Sequence, residues 1–133
     1  MRRTTAFLAA AALGVLPVAG CGGEAQPAVC DSLAAVQNSA QHVRETNVAE
    51  NGLSQLRTNL QQLRDSVQQL ITDAKSQWAT QADAIRSALD QVTASVQTAK
   101  AAPNATNISA VRATLTTLDD SVRSLGDAMR DTC

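Results

Sequence analysis

Apolar residues recur at steps of three and four from residue 29 onward, and polar residues fill the positions between them. This spacing puts the apolar residues on one face of an α-helix and indicates amphipathic helices that pack together. The pattern predicts four helices, over about residues 29–46, 52–76, 80–102 and 106–131. Their apolar positions are Val29, Leu33, Val36, Ala40 and Val43; Leu53, Leu56, Leu60, Leu63, Val67, Leu70 and Ala74; Trp78, Ala82, Ile85, Leu89, Val92, Val96 and Ala99; and Ile108, Val111, Leu115, Leu118, Val122, Leu125 and Met129.

Two of the three breaks between these helices contain residues that end helices. The first break, at residues 47–52, has two asparagines and a glycine, which leave helical geometry at little cost. The third contains Pro103, which cannot continue a helix. The next helix then has three candidate capping residues, Asn104, Thr106 and Asn107.

The second break, around residues 74–82, has neither glycine nor proline, so two interpretations are open. A turn, followed by a helix with Thr80 as its cap and Asp83 three residues later, gives four helices. A continuous helix of about 50 residues gives three, with the change in apolar spacing absorbed as a coiled-coil insertion. We favour the turn, because so long a helix is far above the usual length.

The first 20 residues have the layout of a secretory signal peptide. Arg2 and Arg3 precede an apolar run over residues 6–16. The segment ends in Val18-Ala19-Gly20-Cys21, which resembles the lipobox of bacterial lipoproteins. The resemblance implies cleavage before Cys21 and a lipid on its thiol. An ordinary secretory signal is the alternative, whereas a retained transmembrane helix is disfavoured because a span needs about 20 apolar residues.

The other two cysteines favour the four-helix count. In an up-down-up-down bundle the start of the first helix and the end of the fourth lie together, and Cys30 and Cys133 mark these places. An exported chain also lives where disulfides persist. We therefore predict an all-α, antiparallel up-down-up-down four-helix bundle closed by a Cys30–Cys133 disulfide. A redox or metal site is the alternative role, but there is no Cys-x-x-Cys and the sole histidine, His42, is isolated.

These features divide the chain into three parts. Residues 1–20 are the predicted signal peptide, residues 21–28 the lipidated cysteine and its tether, and residues 29–133 the bundle. Two or three acyl chains on Cys21 would hold the protein stably at the outer face of the bacterial cell membrane. The tether reaches at most about 25 Å, so we expect the disulfide end of the bundle to lie near that membrane.

Signal cleavage changes the charge of the chain and the partners that suit it. It removes two of the 11 basic residues and none of the 12 acidic ones, which leaves a formal charge of −3. Nucleic acid is not an expected partner, because phosphate binding needs a clustered basic face and the sequence has no Lys/Arg run. The expected partners are the membrane, through the lipid on Cys21, and an unidentified envelope protein.

The sequence contains no recognisable catalytic or metal-binding motif. Asp119 and Asp120 precede Arg123 by four and three residues, and this spacing indicates a solvated ion-pair face rather than a metal or acid/base site. The same holds for Asp83 and Arg86. A Gly-rich phosphate loop, His-Glu metal spacing and an acidic calcium loop are all missing. We expect no enzyme activity, no metal and no cofactor.

Trp78 is the only aromatic residue after the signal peptide, and it lies at the second break. We expect it to cover the end of the core. Contact with lipid headgroups or with a partner is the functional alternative, because tryptophan favours interfaces. In the predicted topology its turn is at the same end as Cys30 and Cys133, and therefore near the membrane.

Residues 29–133 resemble small Ala/Thr/Gln-rich exported helical proteins of high-GC Gram-positive bacteria, with a cysteine near each end and heptad-like Val/Leu spacing. This resemblance implies no particular activity. The leading hypothesis is a membrane-anchored cell-envelope lipoprotein that acts as a non-enzymatic structural or protein-interaction module. The alternatives are a carrier that binds a small apolar ligand or lipid between its helices, an elongated coiled-coil oligomer and, last, an enzyme.

Overall fold

The computed structural model describes residues 27–49 and 52–133. This part of the chain forms four α-helices and no strand. The predicted signal peptide, Cys21 and most of the predicted tether lie outside the described residues. The helices are α1 (Ala28–Glu45), α2 (Leu53–Ala74), α3 (Ala79–Ala101) and α4 (Ala105–Ala128), and each boundary lies within three residues of the predicted one.

The helices form the antiparallel up-down-up-down bundle that the sequence predicts, with each helix packed on two neighbours. Packing is closest within the two hairpins, between α1 and α2 and between α3 and α4. The seam between α1 and α4 is the most open of the four. The disulfide between Cys30 and Cys133 crosses this seam, so the confirmed fold is a four-helix bundle whose loosest side is closed covalently.

The core consists of the apolar stripes of all four helices. Each fully buried valine, leucine, isoleucine or methionine side chain contributes about 1.5–3 kcal/mol to stability. Ile108, Leu115 and Trp78 are partly buried and pack against the edge of this core. The largest side chains with almost no exposure are Leu56, Leu63, Leu70, Ile85, Leu89, Leu125, Met129, Val36, Val67, Val92 and Val111.

The turn after α1 is held by side chains that bridge α1 and α2. Thr46 Oγ1 donates to the His42 carbonyl at 2.7 Å, and the amide of buried Asn59 donates to Thr46 Oγ1 at 2.6 Å. Gly52 precedes α2, and a Cβ there would lie only 1.7 Å from the carbonyl oxygen of Asn47. Any other residue at position 52 would therefore force this turn to move.

The turn before α4 selects one of the three candidate caps. The Asn104 side chain accepts a hydrogen bond from the Asn107 backbone N–H at 2.9 Å, as an N-cap residue does. Asn107 instead donates its side-chain amide to the Ala102 carbonyl at 2.7 Å. Asn104 is thus the cap, and Asn107 fastens the end of α3 to the start of α4.

The second break is a turn, as predicted, but the predicted cap at Thr80 is wrong. The helix begins at Ala79, after Trp78, and no side chain caps it. The chain turns through main-chain geometry instead, because Lys75 and Trp78 both adopt positive φ, at 56° and 55°. With Trp78 in this left-handed geometry at the N-cap position, the helix starts two residues too early for the Thr80 hydroxyl to act as its cap.

Candidate functional site at the disulfide end

The disulfide joins the first turn of α1 to the chain just beyond α4. The two Cα atoms are 5.5 Å apart and the bond spans 103 residues of sequence. Cys30 is buried, and Cys133 donates its backbone N–H to the carbonyl of completely buried Met129 at 2.9 Å. The predicted pairing is confirmed: Cys30 lies in the core, and Cys133, which is exposed, is held by its backbone hydrogen bond to Met129.

Trp78 lies at the same end of the bundle. Its indole Nε1 donates to the Ala128 carbonyl at 3.3 Å, at the end of α4, and its ring packs against the edge of the core. The expected position over the end of the core is therefore confirmed. Part of the side chain stays exposed, and the alternative role in contact with lipid or a partner stays a prediction.

A polar cluster between α1 and α2 adjoins this end. The buried Ser32 hydroxyl donates to Asp73 Oδ2, and Gln69 Nε2 donates to both carboxylate oxygens at 3.2 Å. These hydrogen bonds lower the pKa of the Asp73 carboxyl, and the bond from Ser32 has the larger effect. Burial of the carboxyl acts in the opposite direction. Because Ser32 is on α1 and Asp73 is on α2, the cluster ties α1 to α2.

Of the three acidic residues singled out from the sequence, Asp119 and Asp83 form ion pairs, whereas Asp120 forms none among the described residues. Asp119 contacts Arg123 at 3.0 Å on its own helix and Arg44 of α1 at 3.1 Å, while Asp83 contacts Arg86 at 3.7 Å. Asp119 therefore ties α4 to α1 across the open seam. Over residues 27–49 and 52–133 no group of three or more histidine, cysteine or acidic residues is placed to hold a metal.

Sequence reasoning missed the polar contacts that join different helices. Ser32 with Asp73, Arg44 with Asp119, and Arg64 with Asp90 at 2.8 Å all join neighbouring helices. Spacing along one helix reveals pairs such as Asp119 with Arg123, but pairs between helices depend on how the two helices are aligned. Among these contacts, a signal in the sequence existed only for Ser32. This small polar residue directly precedes the apolar Leu33, which places it beside the helix face predicted to be buried.

Comparisons with known proteins add no relative to this picture. No protein-family model, curated protein or solved structure matches the chain. In the described part of the chain, no helix has both the length and the apolar character needed to cross a membrane. Function is therefore inferred from the residues of the chain itself.

Proposed function

We propose that this chain is a bacterial cell-envelope lipoprotein, held at the outer face of the membrane by a lipid on Cys21. Its bundle then acts as a non-enzymatic structural or protein-interaction module. The observation that supports the anchor is the order of parts at the start of the chain, namely a basic start, an apolar run and Val18-Ala19-Gly20-Cys21. The disulfide is consistent with export, because such bonds persist outside the cytoplasm.

The short distance along the chain between Cys21 and the bundle supports the proposed orientation. Six residues separate Cys21 from Ala28, where α1 begins, and six extended residues span at most about 20 Å. The disulfide end would then face the membrane, and the turns that precede α2 and α4 would point outward. A module of this kind presents a fixed surface. The disulfide and the Arg44–Asp119 ion pair, which both cross the open seam between α1 and α4, help to hold such a surface in place.

The polar groups of the bundle support a role without catalysis. The Ser32 hydroxyl is engaged as a donor to Asp73, and His42 lies at the opposite end of α1. Ser32 and the imidazole of His42 are therefore ten helical residues apart, about 15 Å along α1. In the described residues every fully buried side-chain nitrogen or oxygen has a hydrogen-bond partner, as expected of groups that stabilise a fold rather than await a substrate.

The carrier hypothesis has less support from the packing. The inner positions of α2 and α3 are filled by Leu63, Leu70, Ile85 and Leu89, each with no exposed surface. Protein cores of this kind are packed as densely as organic crystals. Binding a lipid between the helices would require them to separate.

The anchor is tested with the full-length chain expressed in a bacterial host that processes lipoproteins. We expect mass spectrometry to find acyl chains on Cys21, and a Cys21→Ala variant to leave the membrane fraction. The matched control, Cys30→Ser with Cys133→Ser, keeps Cys21 and should remain at the membrane. An unmodified Cys21 in the processed protein, or a Cys21→Ala protein that stays membrane-bound, would refute the anchor.

The orientation is tested through Trp78, the only tryptophan of the chain. The lipidated protein is placed in vesicles that contain lipids with a quencher at headgroup depth. We expect its tryptophan fluorescence to be quenched, and the fluorescence of the Cys21→Ala protein to be unaffected by the same vesicles. Unquenched fluorescence in the anchored protein would show that Trp78 points away from the membrane.

A further inference from the structure

The α2–α3 groove is a surface depression of about 250 Å³ between the first half of α2 and the second half of α3. Its floor includes Leu60 and Val96, both buried, and Arg57, Arg64 and Lys100 stand around it. Two glutamines add amide groups to the lining. Because α2 and α3 join at the disulfide end, the groove lies on the half of the bundle away from that end.

The α2–α3 groove is basic although the chain without its signal peptide is acidic. No acidic side chain lines it. Arg64 pairs with Asp90 at 2.8 Å, whereas within the described residues neither Arg57 nor Lys100 forms an ion pair. Arg57 is two helical turns from Arg64, about 10 Å along α2, and Lys100 is on the neighbouring helix. One unpaired positive position, formed by Arg57 and Lys100, and one ion-paired arginine, Arg64, therefore flank an apolar floor.

The size of the groove limits what it can hold. Pockets for whole small molecules have volumes of about 300–1,000 Å³, so this groove suits a few side chains of a larger partner. Three cations without an aromatic residue are few for a nucleic acid or another phosphate polymer. Arginine is enriched at protein interfaces and pairs with carboxylates through two parallel hydrogen bonds.

We propose that the α2–α3 groove binds an acidic peptide segment of a partner protein. One carboxylate contacts Arg57 and Lys100, and a second, about 10 Å away, contacts Arg64, which has donors to spare beyond those used by Asp90. An apolar side chain between the carboxylates covers Leu60, and the glutamine amides pair with the peptide backbone. The inference rests on the interaction role proposed above, but not on the lipid anchor.

The geometry specifies the probe. In an extended chain, side chains two apart share a face, and residues four apart are separated by about 13 Å. Flexible glutamate side chains at this spacing can place their carboxylates about 10 Å apart, with an apolar side chain between them on the same face. The probe is therefore a dye-labelled Gly-Glu-Ala-Leu-Ala-Glu-Gly peptide titrated with the purified lipidated protein in detergent. Fluorescence anisotropy is expected to show saturable binding that weakens when salt is raised. A peptide with glutamine in place of both glutamates should not bind. Absence of binding by the glutamate peptide at about 1 mM protein would overturn the proposal.

Matched variants separate the groove from general charge attraction. Arg57→Gln with Lys100→Gln is expected to weaken binding about tenfold or more, because two charge-assisted contacts are lost. Lys75→Gln with Arg112→Gln removes the same charge from exposed positions outside the groove and should leave the affinity within about twofold. Equal weakening by both pairs would assign the binding to net charge and overturn the proposal.

Reversing the charge of Arg57 and Lys100 distinguishes the loss of their contacts from the loss of the fold. Arg57→Glu with Lys100→Glu should lose the glutamate peptide and gain a Gly-Lys-Ala-Leu-Ala-Glu-Gly peptide, whose lysine meets the new glutamates while its glutamate still meets Arg64. An unfolded protein would not show this gain. Failure to gain it, with an unchanged circular dichroism spectrum, would contradict the assigned contacts. Mass analysis of Cys21 in the same preparations reports on the lipid anchor separately, so failure of the groove and failure of the anchor are distinguishable.

Discussion

Lys75 ends α2 with a backbone geometry, φ 56° and ψ −117°, that glycine adopts easily and other residues rarely do. Its side chain is exposed. Strain at such a residue costs about 1–3 kcal/mol, whereas glycine adds about 0.5–1 kcal/mol of unfolded-state entropy. We predict that Lys75→Gly raises the free energy of unfolding by about 1 kcal/mol in chemical denaturation. Lys75→Ala retains a Cβ and should give no such gain. A less stable glycine variant would contradict the strain.

Asp73 gives the bundle a pH dependence with a defined sign. Its hydrogen bonds with Ser32 and Gln69 lower its pKa in the folded protein below the usual 3.8. The carboxylate therefore contributes stability that is present above pH 3.8 and is lost as pH falls through the lower folded value. Asp73→Asn should be less stable than wild type near pH 7, and the difference should shrink below about pH 4.

The control for Asp73 is Asp120→Asn. Asp120 is exposed and forms no hydrogen bond or ion pair among the described residues, so its replacement should leave the free energy of unfolding near pH 7 close to that of wild type. Denaturant titrations at a series of pH values measure both variants. A constant gap between wild type and Asp73→Asn down to pH 2 would contradict the assigned pKa direction.

Among helix ends, the start of α4 offers a direct comparison of two candidate caps. Asn104 accepts the Asn107 N–H, whereas the Thr106 hydroxyl forms no hydrogen bond among the described residues. Loss of an N-cap costs about 0.5–2 kcal/mol. Asn104→Ala should therefore lower the free energy of unfolding by about 1 kcal/mol, and Thr106→Ala should change it little. Equal effects in thermal and denaturant unfolding would mean that the cap is not Asn104.

The helices were largely predictable from sequence, because apolar spacing reports the buried face directly. Glycine marked the first turn and proline the third, while the second turn was inferred from the usual length of helices and from where the two cysteines had to meet. Its geometry was not predictable, since Lys75 and Trp78 are not residues that favour positive φ. The α2–α3 groove also escaped notice, because Arg57 and Lys100 are brought together by packing rather than by sequence.

For the molecule as a whole, the disulfide is expected to make the largest single contribution to the free energy of unfolding. A bond that closes a loop of about 100 residues contributes roughly 4.7 kcal/mol in the chain-entropy model. Without the disulfide, the Arg44–Asp119 ion pair still joins α1 to α4 across the open seam. Ion pairs near the surface contribute only about 0–1 kcal/mol. Cys30→Ser with Cys133→Ser should therefore lower the free energy of unfolding by about 2–5 kcal/mol.

Reductant provides the control for this prediction. Wild type treated with reductant should unfold like the double serine variant, and the variant should be insensitive to reductant. Both are measured by circular dichroism in urea. A variant within about 0.5 kcal/mol of oxidised wild type would show that the helices hold the seam unaided.

The position of the disulfide also determines how the protein bears a pulling force. Tension applied between Pro27 and Cys133 passes from Cys30 directly through the sulfur–sulfur bond to Cys133. The intervening chain, a sequence separation of 103 and roughly 340 Å if stretched, is bypassed and does not lengthen. A load applied at Pro27 and Cys133 therefore leaves the helices mechanically unstrained beyond Cys30 for as long as that one covalent bond holds.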